Sequence, residues 1–431
     1  MKRRAFGFLL LCALWSLPAQ AEQRFIVRDT LGLPGLQTVC AVLGCNVAEG
    51  LDGSLGQVFL VTTPDSINPT TFLAALLAQT GVVDAELDRL AHTANSGYAI
   101  PSSLSDTKPV SYFGETLPDG YVNQSATHII NLRYTQSAFH VKGAGIVAVI
   151  DTGIDPDHPA LKNSLVPGYD FTRNRDGEGD ETEDVTLSSP PSVANPIWVN
   201  KQGAARIDQS TAAVVDGNPQ YSDFGHGTMV AGIVHLVAPA ASLMPLKAFR
   251  ADGTGYNSDI IRAIYFAAFH NANIVNMSFN LAAFSREVKD AVDFADLEGI
   301  ICVAAAGNSG KEILVYPAAF ADVMGVASTT NQDQRSLFSN YGDRLVWVAA
   351  PGEGIVTTYP FGTYAAGWGT SFSTPFISGV AALMLDVQRI CDQGESAQAM
   401  AHAKPIDPTL GHGRLEAYQA VQAWRNFLKL P

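Results

Sequence analysis

The chain has 431 residues, 47% of them apolar and 16% charged, with 41 acidic against 27 basic side chains for a net charge of −14 at pH 7. Such a length can bury a large core and suggests two or three domains, and the acidic balance argues against nucleic acid as a partner. Five cysteines are too few for a disulfide-dense scaffold, and no CxxC pair or His/Cys cluster points to zinc.

Residues 1–21 read as a secretory signal. Lys2, Arg3 and Arg4 form a basic start, Phe6 to Leu17 an apolar region too short to span a bilayer, and Ala19-Gln20-Ala21 a small-residue cleavage site. Its removal takes away three basic side chains and makes the protein more acidic still. No later stretch reads as a transmembrane segment, and the tail after residue 420 leaves no room for an anchoring domain. The expectation is a soluble, monomeric protein in the periplasm or medium, with no membrane association. Cys40 and Cys45 are close enough in sequence to pair in an oxidising compartment, whereas Cys302, inside the apolar run Gly299 to Ala304, is expected to be a buried, inert thiol.

Residues 22–94 read as a small α+β domain: strands over 24–29, 57–62 and 82–87, and helices over 36–45 and 68–79. Residues 95–124, with scattered Pro, Ser, Gly and Asn and little periodicity, read as a linker. A small domain, a loose connection and a large domain is the layout of a zymogen. An ordinary accessory domain would give the same layout.

Residues 125–431 alternate strands with helices. Apolar strands are expected at 145–150, 243–249, 274–279 and 300–305, with helices at 258–270 and 286–298. The fold class is therefore α/β: a doubly wound, mainly parallel sheet with helices on both faces. Chemistry in such sheets gathers at the carboxyl ends of strands. Asp151 stands at one such end and Asn308, in Ala306-Gly307-Asn308, at another. His226 lies between two glycines at a helix start. Ser371, in Gly369-Thr370-Ser371, precedes Pro375 and an apolar run to Val387 that reads as a helix with the proline in its first turn. Residues 171–220 look like a polar insertion. Its acidic start, Arg175 to Glu181, has two readings, a solvated loop or a calcium site built from carboxylates.

Acyl transfer by a serine needs a base, an acid that orients the base, and donors for the oxyanion. Ser371, His226, Asp151 and Asn308 are one candidate of each kind. At these residues the chain resembles the subtilisin-like serine proteases, the subtilases, in the stretches 148–154, 225–228, 305–308 and 369–371, and more weakly in Asn276-Met277-Ser278 and 411–415. The triad order is Asp, His, Ser. The resemblance covers nearly all of residues 125–420.

By position, it implies Ser371 as nucleophile, His226 as general base then acid, Asp151 as its orienting carboxylate and Asn308 as an oxyanion donor. It implies that Gly253, Thr254 and Gly255 pair with an extended polypeptide substrate, and that Ser278, Phe279, Asn280, Ala304, Ala305 and Ala306 line the primary pocket. Asn280 stands where the family more often has glycine, and Phe372 and Ser373 where it has methionine and alanine. Residues 22–94 resemble a subtilase propeptide that blocks the cleft until cleaved. No cofactor is needed for the chemistry.

Rival readings are weaker. Asp-Thr-Gly also marks aspartic proteases, but those need a second copy. An α/β-hydrolase would place a second glycine after Ser371. A catalytically silent binding module on the same frame would be expected to lack a triad member. His158, His235 and His270 read as packing residues.

Overall fold

The computed structural model describes residues 22–93, 101–177, 179–185, 193–198, 204–208, 219–388 and 392–430, in two compact units. The signal at 1–21 lies outside the described residues.

The smaller unit takes in residues 22–50 and 57–87. It runs β1 (Glu22–Asp29), α1 (Gly32–Leu43), β2 (Asn46–Gly50), β3 (Val58–Pro64), α2 (Pro69–Leu77) and β4 (Val82–Leu87), with sheet order β2-β3-β1-β4. Strand β1 is antiparallel to both β3 and β4. Phe25, Val27, Phe59, Val61, Leu36, Phe72 and Leu76 form its core. The Asn68 side chain caps α2 by accepting from Thr71 N–H, and Pro69 opens the helix, where its missing N–H costs nothing. Cys40 and Cys45 are joined by a disulfide across the end of α1. Strand β2 was not apparent in the sequence. No residue of Asn46–Gly50 is buried, and a polar, glycine-ended edge strand carries little pattern.

The larger unit contains residues 51–56 and 88–430. Its eight-stranded sheet includes β8 (Ile146–Asp151), β9 (Tyr169–Asp170), β10 (Arg175–Asp176), β13 (Ser242–Lys247), β15 (Ile274–Met277), β17 (Ile301–Ala305), β18 (Met324–Thr329) and β19 (Val348–Pro351). The order is β10-β9-β13-β8-β15-β17-β18-β19, parallel throughout except β10 against β9. Every residue of β15, β17, β18 and β19 is buried, as a sheet covered on both faces requires. Two buried helices, α6 (His226–Val237) and α9 (Thr370–Val387), pack in the core with one set of sheet side chains, Val147, Val149, Ile274, Val303 and Val326 among them. Helices α7 (Asn257–Phe269) and α8 (Arg286–Leu297) are also amphipathic elements of this unit. Among the described residues α9 is the one helix long and apolar enough to cross a membrane, and 89% of it is buried within the protein. Its composition is that of a core helix.

Two expectations need correction. Helix α9 begins at Thr370, so Pro375 sits inside the helix and not in its first turn. The described part of the supposed linker, 101–124, is folded into the large unit. Strands β6 (Pro109–Tyr112) and β7 (Glu115–Pro118) form a hairpin followed by α3 (Asp119–Val122). Leu104, Tyr112, Leu117, Tyr121 and Val122 enter the main core. Tyr112 Oη donates to Leu236 O and Tyr121 Oη to Gly232 O, fastening the segment onto α6. Gln124 exchanges bonds with Val356 N and O at 2.9 and 2.6 Å. The apolar residues here recur at no helical or strand period, and their anchors lie more than a hundred residues away.

Candidate active site

Asp151 ends β8 and His226 begins α6. His226 Nδ1 lies 2.7 Å from Asp151 Oδ1, and both side chains are buried. Nδ1 facing a carboxylate carries the proton, which leaves the lone pair on Nε2. Among the described residues Nε2 has no hydrogen-bond partner, although it is buried. Burial opposes charging the imidazole. The charge and hydrogen bond of Asp151 outweigh that, with Asp223 and Glu181 adding to them, and hold the pKa above its usual value.

The glycines around His226 let the helix end approach the strand end. Gly225 has φ +89, and a Cβ there would lie 2.3 Å from the Tyr359 ring. A Cβ on Gly227 would lie 2.0 Å from Gly153 O.

Ser371 lies in the first turn of α9 with Phe372 after it, whose ring centroid is 5.6 Å from that of His226. The Ser371 hydroxyl donates to Ser278 O at 3.0 Å, and among the described residues it makes no hydrogen bond to Nε2. Asn308 follows β17. Its Oδ1 accepts from Thr370 N–H and Thr370 Oγ1, both at 2.9 Å, and Gly307 N–H donates to the same Thr370 hydroxyl at 3.0 Å. With Oδ1 taken, the remaining capacity of the Asn308 amide is donation through Nδ2. Thr370 thus couples the serine segment to the asparagine loop, a part that the sequence reading passed over.

Beside this lies a three-stranded sheet of β14 (Thr254–Tyr256), β5 (Leu90–Thr93) and β16 (Phe279–Leu281) in the order β14-β5-β16, antiparallel on both sides. The register pairs Thr254 with His92, Gly255 with Ala91, Phe279 with Thr93 and Asn280 with His92. Residues 253–255 and 278–280 therefore flank an extended segment of the chain's own backbone. Gly253 closes the turn before β14, its N–H bonded to Arg250 O. Ala304, Ala305 and Ala306 are buried at the end of β17, and Asn280 Nδ2 donates to Ala305 O at 2.9 Å, tying the two walls together where glycine could not.

Within the acidic stretch, Asp180 accepts from the N–H and hydroxyl of Thr182, and Glu181 from Thr152, Gly225 and Thr228, while carboxylates flanking it are held in ion pairs. Arg173 pairs with Asp170 and Asp184, Arg175 with Glu183, and buried Lys247 with Asp184 at 2.7 Å. Among the described residues no group of three or more His, Cys, Asp or Glu converges as a metal site. Glu178 lies outside them. His158, His235 and His270 contact Thr363 O, Glu115 with Ser164, and Phe266 O respectively.

A family model described as the subtilase family matches residues 143–415. The chain is 32% identical over 300 residues to thermitase of Thermoactinomyces vulgaris, covering 65% of this chain and 90% of thermitase. It is 36% identical over 249 residues to subtilisin BL of Lederbergia lenta, covering 56% and 87%. In structure it is similar to fervidolysin from Fervidobacterium pennivorans, a keratinolytic enzyme related to subtilisin. The TM-score is 0.69 at 20% identity, over 94% of this chain and 61% of fervidolysin, which supports the fold. This chain belongs to the subtilase family and is a serine-type endopeptidase. Its chemistry calls for no cofactor.

Proposed function

We propose that the protein is exported as a zymogen and hydrolyses polypeptides with Asp151, His226 and Ser371. The observation that carries this reading is the buried 2.7 Å contact of Asp151 with His226 Nδ1, with Nε2 lacking a hydrogen-bond partner among the described residues, its ring 5.6 Å from that of Phe372, the residue after Ser371.

A rotation about the Ser371 Cα–Cβ bond is the change that brings its hydroxyl from Ser278 O towards Nε2. Hydrogen bonds of this kind are often loose before substrate binds. Ser371 Oγ then attacks the scissile carbonyl carbon while its proton passes to Nε2, and the Asp151 carboxylate stabilises the imidazolium. Charge on the carbonyl oxygen meets the Ser371 N–H and the Asn308 amide. Collapse expels the amine, which takes the proton from His226. Water, activated by the same imidazole, hydrolyses the acyl-enzyme.

Residues 253–255 pair with the substrate as an added strand, and 278–280 with 304–306 line its primary pocket. The segment Leu90–Thr93 between β14 and β16 supports the zymogen reading, since it lies where such a strand would lie. The propeptide, residues 22–94, ends there as an internal inhibitor, and residues 1–21 direct export to the periplasm or medium.

The test is expression of wild type and Ser371→Ala without the signal, following chain mass over time and hydrolysis of an unfolded protein. Wild type should shorten by about the propeptide length and gain activity while the variant stays intact and silent. Equal activity in both would remove Ser371 from the mechanism.

A further inference from the structure

Glu181 lies in the polar insertion, in no motif, and is fully buried. Its carboxylate accepts four hydrogen bonds. Oε2 takes Thr152 Oγ1 at 2.8 Å and Gly225 N–H at 2.9 Å. Oε1 takes Thr228 N–H at 3.0 Å and the Thr228 hydroxyl. These donors bracket the two acid–base residues: Thr152 follows Asp151, and Gly225 and Thr228 stand on either side of His226. Gly227 N–H closes the loop by donating to Thr152 Oγ1 at 2.9 Å. The head of α6 has no cap from its own residues, because Gly225 has no side chain. A carboxylate reaching in from another segment takes that place, where the helix dipole favours negative charge.

We propose that Glu181 is a positioning residue for the Asp151–His226 pair, clamping the end of β8 to the first turn of α6 and so fixing how the imidazole meets its carboxylate. This rests on the triad reading. The clamp also sets charge. Lys247 on β13 acts on Glu181 by its charge and is itself paired with Asp184; Asp151 on β8, Asp223 and Glu181 act together on the His226 imidazole at the head of α6, and Asp180 is the acidic neighbour in sequence. Burial raises the Glu181 pKa to about 7, against the hydrogen bonds of Thr228 and Thr152 and the charge of Lys247; above that pH its carboxylate is a second negative charge near the imidazole, after Asp151, and contributes to holding the His226 pKa up.

Glu181→Gln keeps the shape and removes the charge. Whichever way its amide turns, its NH₂ meets the N–H of Gly225 or of Thr228, so the clamp loosens. The experiment compares wild type, Glu181→Gln and Glu181→Asp, matured where necessary with an immobilised protease of different specificity, on a soluble peptide substrate. Each change is also made in Ser371→Ala, where the His226 ring is titrated by NMR without autolysis.

The expected result for Glu181→Gln is a fall in kcat on the order of 10², the size a misplacement of about 1 Å can produce, with KM changed less than about twofold and the His226 pKa lowered. Glu181→Asp, which keeps the charge on a shorter arm, should lose kcat but retain most of the imidazole shift. That keeps the proposal open to refutation if the glutamine variant does not fold. A kcat in both variants equal to wild type overturns the proposal. So does an unchanged His226 pKa in Glu181→Gln with activity falling only in step with the folded fraction, which would make Glu181 a brace and nothing more. Activity surviving in Ser371→Ala overturns the triad reading instead, whatever the glutamate variants do.

Discussion

Ser278 and Ser371 exchange hydrogen bonds: Ser278 Oγ donates to Ser371 O at 2.9 Å, and Ser371 Oγ donates to Ser278 O at 3.0 Å. The first exists because Pro375 sits four residues after Ser371 and has no N–H to give its carbonyl. Ser278 fills the gap, and is itself held by Asn276 Nδ2 at 2.9 Å, whose Oδ1 accepts from Ser378 at 2.8 Å. A helix that would be broken by its proline is repaired by the residue between β15 and β16, and the repair fixes the serine's backbone.

Ser278→Ala should therefore take a donor away from a buried carbonyl. The expected cost is about 1–3 kcal/mol, a fall in thermal midpoint of about 2–4 °C for each kcal/mol. Calorimetry in the Ser371→Ala background checks this free of autolysis. An unchanged midpoint would mean that another donor reaches Ser371 O.

Asp151→Asn should fold, because the amide replaces the carboxylate in shape, but hold His226 in the wrong tautomer. The expected loss in kcat is on the order of 10⁴ with little change in KM. Peptide hydrolysis by protein matured in trans measures it. A loss below about tenfold would contradict the assigned role of Asp151.

The pH dependence has a definite sign. In the proposed mechanism His226 must be neutral to accept the serine proton, and its pKa is held above the usual imidazole value, burial opposing the charge and the charge and hydrogen bond of Asp151 outweighing it. Activity should fall as pH drops through that raised value, with a midpoint above about 6.5. Stability runs the other way. A raised folded-state pKa stabilises the protein below the unfolded pKa, and this contribution fades as pH rises through the folded one. Rates and thermal midpoints across pH 5–9 in the Ser371→Ala and wild-type proteins check both limbs.

The four residues at the centre of this site were legible in the sequence because each stands in a short glycine-rich string at a strand end or helix start. The parts that align them were not. Glu181 is one acidic residue among several in a polar loop, and only the fold shows that it is buried. Thr370 reads as an ordinary small residue beside the serine, and Ser278, expected in the pocket wall, carries no sign in the sequence that it bonds the Ser371 carbonyl. The packed segment 101–124 looked loose because Tyr112, Tyr121 and Gln124 find their partners on α6 and on the strand Ile355–Tyr359, far along the chain. Strands β18 and β19 were not assigned either, being short apolar runs among turns, where periodicity says little.

Asn308→Ala should lower kcat by about 10²–10³, the scale found for such a donor in a related subtilisin, while KM changes little. Because Asn308 Oδ1 also holds Thr370, Thr370→Val should show a smaller loss of the same kind. Steady-state kinetics on one peptide separates the two; a larger effect from Thr370 would reverse their assigned order.

Cys302 is buried in β17, and burial pushes its thiol up, away from the reactive thiolate. Its peptide should escape iodoacetamide in the native protein and be alkylated after denaturation. Native labelling would contradict the packing of β17.

The most direct test of the central claim is covalent. A phosphonylating reagent offered to the matured protein should form one adduct, and mass mapping should place it on Ser371, with labelling lost in His226→Ala. Hydrolysis that continues after exposure with Ser371 unmodified, or an adduct on another residue that abolishes activity, would contradict it.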